Sequence, residues 1–141
     1  MNAHKYLLDT NIFLRAIVKD DRQKAEICEG LLKRLAGKKE MFFTSSLVLA
    51  EIAWTLLRAY KYKKDDIAKV IRSVLSIPSL RIEDAYTPVV AADLYLSNNV
   101  KFADCLLASH PEILNGEAAV ISYDRDFDVL GAKRIEPSAI I

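Results

Sequence analysis

The chain alternates short apolar runs with longer segments whose apolar residues recur every three or four positions. Short apolar runs predict buried strands, and the longer periodicity predicts amphipathic helices. We expect strands at residues 5–9, 41–43, 80–82, 118–122 and 133–135. We expect helices at about residues 12–18, 20–36, 47–60, 64–77, 88–97 and 102–109, with a short helical turn after residue 124. This alternation indicates an α/β fold, with a central parallel sheet of four to five strands flanked by helices on both faces.

Gly and Pro mark several of the expected helix ends. Gly37 lies where a helix often ends in a left-handed residue, so the second helix should extend to it. Thr87 and Pro88 have the sequence of an N-cap followed by proline at the first helical position. Pro111 should end the helix before it. The helix at residues 47–60 is apolar on nearly every side, which predicts either a central helix or an interface.

Length and composition restrict the class of protein. The 141 residues, 52% hydrophobic and 28% charged, suit one globular domain spanning residues 1–141. The longest mostly apolar window is interrupted by Glu51 and Thr55 and is too short for a membrane span, and the N-terminus lacks the pattern of a signal peptide. Cys28 and Cys105 have no metal-ligand spacing, so we expect buried thiols in a reducing cytoplasm. The net charge of +1 neither requires nor excludes nucleic acid.

Four acidic residues lie where an apolar stretch passes into a helix, or just inside one: Asp9, Glu51, Asp104 and Asp124. The carboxyl ends of parallel strands and the starts of the following helices share one edge of an α/β sheet, so these acids should converge. Carboxylates in one cleft repel each other unless a cation neutralises them. Oxygen ligands of this kind bind hard divalent ions, so the pattern predicts a Mg²⁺ or Mn²⁺ site for phosphodiester chemistry.

Each acid also has a structural explanation when it is taken alone. Asp9 can serve as a turn or cap residue, and Asp104 can gain from the dipole of a short helix. Glu51, inside an apolar helix, can pair with an Arg or Lys or face water. Asp124 is harder to explain in this way, because a buried strand leads directly into Ser122, Asp124 and Asp126 at alternate positions. We interpret Asp126 as a second ligand there, or as a support for one.

Four segments together resemble the PIN domain, the nuclease fold of VapC-type toxins of toxin–antitoxin modules. They are LLDTNI, SSLVLAEIAWTL, FADCLLA and VISYDRDF, in this order along the chain. The resemblance implies a Rossmann-like parallel sheet and a Mg²⁺- or Mn²⁺-dependent endoribonuclease. It puts the acidic quartet of the family on Asp9, Glu51, Asp104 and Asp124, and its auxiliary polar positions on Asn11, Ser122 and Asp126. It also implies a small antitoxin that covers the site, and a homodimer.

The residues suggest roles in such a nuclease. We expect Asp9, Asp104 and Asp124 to bind the ion directly or through water, and Glu51 to be a ligand or the base that orients the attacking water. Basic residues mixed with tyrosines, among them Arg58 and Lys61, suit single-stranded RNA. A solvated helix C-terminus explains those cations equally well. Arg125, beside the acids, can contact substrate or neutralise charge.

Three other functions remain open at this point. The chain can be a stand-alone PIN nuclease in RNA processing, which the absence of an adjacent antitoxin gene would indicate. A receiver-like phosphoryl-transfer domain also carries acids at strand ends, but Asn11 occupies the position two residues after Asp9, where a second acid is expected. A catalytically inactive RNA- or protein-binding module is the third alternative, which a cleavage assay would separate from the nucleases.

Overall fold

The computed structural model describes residues 4–140. Five strands lie within that range: β1 Lys5–Leu8, β2 Met41–Thr44, β3 Leu80–Ile82, β4 Ala118–Ile121 and β5 Arg134–Ile135. The α-helices of the same range are α1 Thr10–Val18, α2 Arg22–Lys33, α3 Ser46–Arg58, α4 Lys64–Leu75, α5 Pro88–Ser97, α6 Phe102–Ala108, α7 Pro111–Leu114 and α8 Asp126–Val129. Short 3₁₀ turns lie at Leu35–Gly37 and Pro137–Ala139.

The five strands form one parallel sheet in the order β3-β2-β1-β4-β5. The predicted α/β fold with a parallel sheet of up to five strands is confirmed. The chain builds outward from β1 to β2 and β3 on one side, and places β4 and β5 on the other. The strand order therefore reverses between β1 and β4, and such a reversal opens a crevice at the carboxyl ends of the two strands.

The central strands are buried because helices pack against both faces of the sheet. All four residues of β4 are buried, as are three of the four in β1. Four phenylalanines are among the largest fully buried side chains: Phe13, Phe42, Phe43 and Phe127. Cys28 and Cys105 are free and buried, as expected. Within residues 4–140, the helices are too short or too polar to cross a membrane.

One expected helix end was wrong, and a second was right but incomplete. Helix α2 ends at Lys33 rather than continuing to Gly37, and Leu35 then enters the core from a separate 3₁₀ turn. Pro111 does follow the end of α6, but it also occupies the first position of α7, where its missing N–H costs nothing. The imidazole Nδ1 of His110 accepts a hydrogen bond from the Glu112 N–H and caps this short helix.

Helix α3 is not central, although its sequence is apolar on nearly every side. It buries one stripe, formed by Val48, Ile52 and Leu56. The side chains of Trp54 and Leu57 face outward and are 60% and 48% exposed. Of the two predicted alternatives, a central position is therefore wrong, and an interface remains a prediction.

We predict that Phe127→Ala destabilises the fold by about 3–5 kcal/mol, because a fully buried ring is removed from a packed core. Phe127 also anchors α8, which begins two residues after Asp124. Urea unfolding followed by circular dichroism measures the change. Val129→Ala is the control in the same helix, since Val129 is 59% exposed and should change stability by less than about 0.5 kcal/mol. Similar losses in both variants would contradict this view of the core.

Candidate metal centre

The acids lie at the crevice where the strand order reverses. Asp9 directly follows β1 and is the N-cap residue of α1, while Asp124 follows β4 by three residues. The N–H of Asp9 donates to the carbonyl oxygen of Ile121 at 3.2 Å, which ties the ends of the two neighbouring strands together. Glu51 reaches the crevice from α3 and Asp104 from the first turn of α6. Four separate segments of the chain thus contribute these carboxylates.

The carboxylates form two groups that share Asp104. Ligand oxygens of Asp9, Glu51 and Asp104 all lie within 4.8 Å of one another. The same limit holds for Asp104, Asp124 and Asp126. The structure therefore brings together all five acids that the sequence singled out.

Asn11 and Ser122 connect Asp9 to the loop that carries Asp124. The Ser122 hydroxyl donates to Asp9 Oδ2 at 2.7 Å, and Asn11 Nδ2 donates to the same oxygen at 3.1 Å. Ser122 Oγ in turn accepts from Asn11 Nδ2 at 3.1 Å and from the Asp124 N–H at 2.9 Å. The Asp126 N–H then donates to Asp124 Oδ1 at 2.9 Å. Asn11 and Ser122 therefore orient Asp9 and Asp124, and their polar side-chain atoms make hydrogen bonds within this network.

Glu51 is only partly neutralised. Its Oε1 accepts a hydrogen bond from the Thr10 hydroxyl at 3.0 Å. Its Oε2 lies 3.8 Å from Lys101 Nζ, and 67% of the lysine side chain is exposed. The salt bridge considered for Glu51 from the sequence is therefore present, but it is long and solvated. Exposed pairs of this kind contribute little to stability.

Burial raises the pKa of two carboxyl groups in the cluster. The pKa of Asp9 rises to about 6, chiefly through desolvation, although the hydrogen bond from Ser122 opposes the shift. The pKa of Asp104 rises to about 7, again chiefly through desolvation. Lys101 lowers the pKa of Asp104, while repulsion from the neighbouring acids raises it further. These shifts mean that the negative forms of Asp9 and Asp104 are costly without a counter-charge.

The donor set fits a hard divalent cation. Asp104 Oδ2 is buried and has no hydrogen-bond partner among residues 4–140, which is the state expected of an oxygen that a cation would contact. All five candidate ligands offer carboxylate oxygens, and such ligands suit Mg²⁺ or Mn²⁺ better than ions that prefer nitrogen or sulfur. Asp104 would be common to any ion held by either group.

Within residues 4–140, the predicted substrate cations form no ion pair with the acids of this cluster. The Arg58 guanidinium stacks over the Trp54 ring at 4.6 Å on the exposed side of α3. Lys61 follows that helix with a positive φ of 59°, and Arg125 is exposed before α8. Among the described residues, the cation that pairs with a cluster acid is instead Lys101, which the sequence interpretation had not singled out. Its position three residues before Asp104, next to a helix start, was the signal available.

A second group with metal-like donors is already neutralised by a lysine. Glu83, His110 and Glu112 come within the same 4.8 Å limit on another part of the surface. Lys5 Nζ donates to Glu83 Oε1 at 2.9 Å and to Glu112 Oε1 at 2.7 Å, so an ammonium ion occupies the centre of the group. His110 is buried and stacks on Phe43. These contacts give His110 a structural role.

An all-parallel sheet with a cluster of carboxylates at its reversal point defines a class of α/β proteins suited to metal-assisted chemistry. The profile of the PIN domain family matches residues 6–133, and the chain belongs to this family. A curated relative, the VapC ribonuclease of Aquifex aeolicus (strain VF5), is 29% identical over 131 residues, which cover 93% of this chain and 96% of that protein. The family membership favours the nuclease interpretations over the receiver-like one.

Solved structures share the same fold. A chain of VapBC2 from Rickettsia felis, bound to a DNA fragment from their promoter, has a TM-score of 0.65 and 24% identity, covering 94% of this chain and 98% of that one. PAE2754 from Pyrobaculum aerophilum has a TM-score of 0.66 at 14% identity and covers 96% and 90%. VapC20 from Mycobacterium tuberculosis, a sarcin-ricin loop cleaving toxin, has a TM-score of 0.62 at 16% identity and covers 90% and 95%.

We predict that Asp104→Asn stabilises the metal-free protein at pH 8 by on the order of 1–2 kcal/mol. A pKa raised from 3.8 to about 7 means that the native state binds more protons than the unfolded state between these values. Asp104 therefore lowers the free energy of unfolding as pH rises through this window, and the variant removes that loss. Thermal unfolding in EDTA at pH 4 and pH 8 compares the two proteins.

Added Mg²⁺ should make the wild type the more stable of the two proteins at pH 8. It should raise the Tm of the wild type at pH 8, raise it less at pH 5.5 because protons compete for the ligands, and leave Asp104→Asn almost unchanged. A variant that is less stable than the wild type in EDTA at pH 8, or one that keeps the full Mg²⁺ response, would contradict the assignment of Asp104.

Proposed function

We propose that this protein is a metal-dependent endoribonuclease and the toxin of a toxin–antitoxin pair, with residues 1–141 forming a single PIN domain. The observation that carries the proposal is the pair of carboxylate groups that meet at Asp104, whose buried Oδ2 lacks a partner among residues 4–140. Such a cluster is unfavourable without a cation, and on a PIN fold it lies at the crevice that admits a ligand.

In this mechanism Asp9, Asp104, Asp124 and Asp126 would hold Mg²⁺ or Mn²⁺. A bound ion of this type supplies a water that is more easily deprotonated and stabilises the charge that develops on phosphate oxygens. The water oxygen forms a bond to phosphorus and loses a proton to Glu51, and one phosphorus–oxygen ester bond breaks. The departing RNA oxygen takes a proton from solvent, and Glu51 later releases its proton to solvent.

Glu51 is the group best placed to take the proton from the attacking water. Thr10 holds one of its oxygens, and the other faces the crevice only 3.8 Å from an ammonium group that can move away. A half-buried carboxylate fixed at one oxygen can orient a water with the second. Asn11 and Ser122 act through Asp9 and Asp124, by fixing the positions of those carboxylates.

RNA as the substrate is supported by the relatives. The Aquifex aeolicus protein is a VapC ribonuclease, and the Mycobacterium tuberculosis neighbour is a toxin that cleaves the sarcin-ricin loop. On this chain, the stacked pair of Trp54 and Arg58 offers an aromatic face and a cation to a single-stranded nucleic acid. Lys61 and Arg125 are further exposed cations that we assign to phosphate contacts, and we infer that the enzyme acts in the cytoplasm.

The proposed partners are an antitoxin and a second copy of this chain. A VapBC2 complex among the structural neighbours supports the antitoxin. Exposed apolar side chains on two helices support an interface. Leu57 on α3 is 48% exposed, and Val89 and Leu96 on α5 are 75% and 87% exposed. Exposed apolar side chains that lie together on a surface mark interaction sites.

We predict cleavage of total cellular RNA by the purified protein in Mg²⁺ or Mn²⁺ and no cleavage in EDTA. Sequencing of the new RNA ends identifies the principal cut site. Asp9→Asn should lower the cleavage rate by roughly 100-fold or more, because it removes a ligand and the charge that holds the ion. Expression of the wild type should slow growth, and expression of Asp9→Asn should not.

Asp66→Asn is the matched control, since it makes the same chemical change on the exposed side of α4 and should leave cleavage intact. Metal-independent cleavage, or full activity of Asp9→Asn, would contradict the proposed function.

A further inference from the structure

Lys101 is the residue immediately before α6, the helix that carries Asp104. Its carbonyl oxygen accepts hydrogen bonds from the N–H groups of Asp104 at 3.1 Å and Cys105 at 3.2 Å. The backbone of Lys101 is therefore fixed to the same helical turn that places Asp104 in the metal centre. Its side chain is 67% exposed and extends from this fixed point over the crevice.

The ammonium group of Lys101 is held loosely. Its distance of 3.8 Å from Glu51 Oε2 allows electrostatic attraction but is longer than a hydrogen bond, so its three N–H donors are not used on that oxygen. Desolvation alone would lower the pKa of Lys101, but attraction to Asp104, Glu51, Asp9 and Asp124 raises it above its usual value. The group thus stays protonated at the rim of a strongly negative cluster.

We infer that Lys101 is a substrate-binding residue of the proposed nuclease, and that its ammonium group contacts a non-bridging oxygen of the RNA phosphodiester that is cleaved. This inference rests on the proposed function. A phosphodiester carries one negative charge and must approach five carboxylates, so a cation on the same rim reduces the repulsion. A flexible lysine can leave a weak, solvated pair with Glu51 and donate to the phosphate instead.

Movement of the Lys101 ammonium group to the phosphate would also leave Glu51 free to act as the base. While the ammonium remains 3.8 Å from Oε2, it competes with the attacking water for that oxygen. Once Lys101 pairs with the phosphate, Glu51 keeps its hydrogen bond from Thr10 and faces the attacking water without a competing cation. Substrate binding and activation of the base would then be coupled through one side chain.

A different role must be separated from this one. Lys101 can act only as a stand-in for the metal, neutralising the acids until the ion binds. In that case its removal would leave the activity at saturating Mg²⁺ unchanged and would lower the Mg²⁺ concentration needed for half-maximal stabilisation. At saturating Mg²⁺, a substrate-binding role therefore predicts lower activity without the lysine, and a stand-in role predicts unchanged activity.

The test compares Lys101→Met, Lys101→Arg and the wild type on an RNA oligonucleotide that spans the principal cut site, at saturating Mg²⁺. We expect Lys101→Met to lower kcat/KM by roughly 10- to 100-fold, less than the loss of a fully buried oxyanion donor because this side chain is exposed. Lys101→Arg should restore most of the activity. The slope of log kcat/KM against log salt concentration should become shallower by about 0.7 in the Met variant, as expected when one phosphate contact is lost.

Lys133→Met is the matched control. Lys133 precedes β5 at the opposite, amino-terminal edge of the sheet, where its ammonium group donates to the carbonyl oxygen of Gly116. This variant should change neither kcat/KM nor its salt slope. The Mg²⁺-induced rise in Tm provides a readout without RNA, and it should be at least as large in Lys101→Met as in the wild type.

The experiment distinguishes failure of the proposed function from failure of the role inferred for Lys101. A wild type that does not cleave RNA removes the proposed function, and this inference with it. An active wild type with an equally active Lys101→Met removes only the inference. Loss of the Mg²⁺-induced rise in Tm in Lys101→Met would also overturn it, because the lysine would then support the metal centre rather than bind substrate.

Discussion

Repulsion between carboxylates at the reversal point of the sheet is the constraint on which the site depends. Asp9 and Asp104 are buried, and their pKa values are raised mainly because water is excluded from them. A chain selected for stability alone would not place Asp104 Oδ2 there with no partner in the described part of the chain. The fold tolerates this cost because β1 and β4 are neighbours and the hydrogen bonds of Asn11 and Ser122 hold the strand ends in place. The carboxylates are thereby held close together in a fixed geometry, and a bound cation can neutralise their repulsion.

The parallel sheet explains why residues so distant in sequence can form this site. With β1 and β4 adjacent in the sheet order, the residues that follow each strand face the same crevice. Helices α3 and α6 then bring Glu51 and Asp104 from two other crossovers. The hydrophobic core fixes these helices through Ile52 and Leu107, both buried, so core packing determines the distance between carboxylates. Stability and candidate chemistry are therefore linked through the same few elements.

Much of this arrangement could be predicted from the sequence, and the exceptions have physical reasons. Strand ends are recognisable from apolar runs, which is why Asp9 and Asp124 could be placed at one edge. Glu51 stood out because a carboxylate is unusual in an apolar helix. Lys101 did not stand out, since an exposed lysine before a helix looks like any solvated surface residue until its distance to Glu51 is known. Pro111 is compatible with the end of one helix and with the start of another, and the cap that His110 provides for α7 was not recognised from the sequence.

The proposed chemistry of this protein requires that the carboxylates share a divalent ion. Diffraction from crystals soaked in Mn²⁺, with data collected for the anomalous signal of manganese, measures this. We predict a peak at roughly 2.0–2.3 Å from a carboxylate oxygen of Asp104 and from oxygens of Asp9 or Asp124, with water completing the coordination. Anomalous density found only elsewhere on the molecule, or none in the crevice at saturating Mn²⁺, would contradict the account.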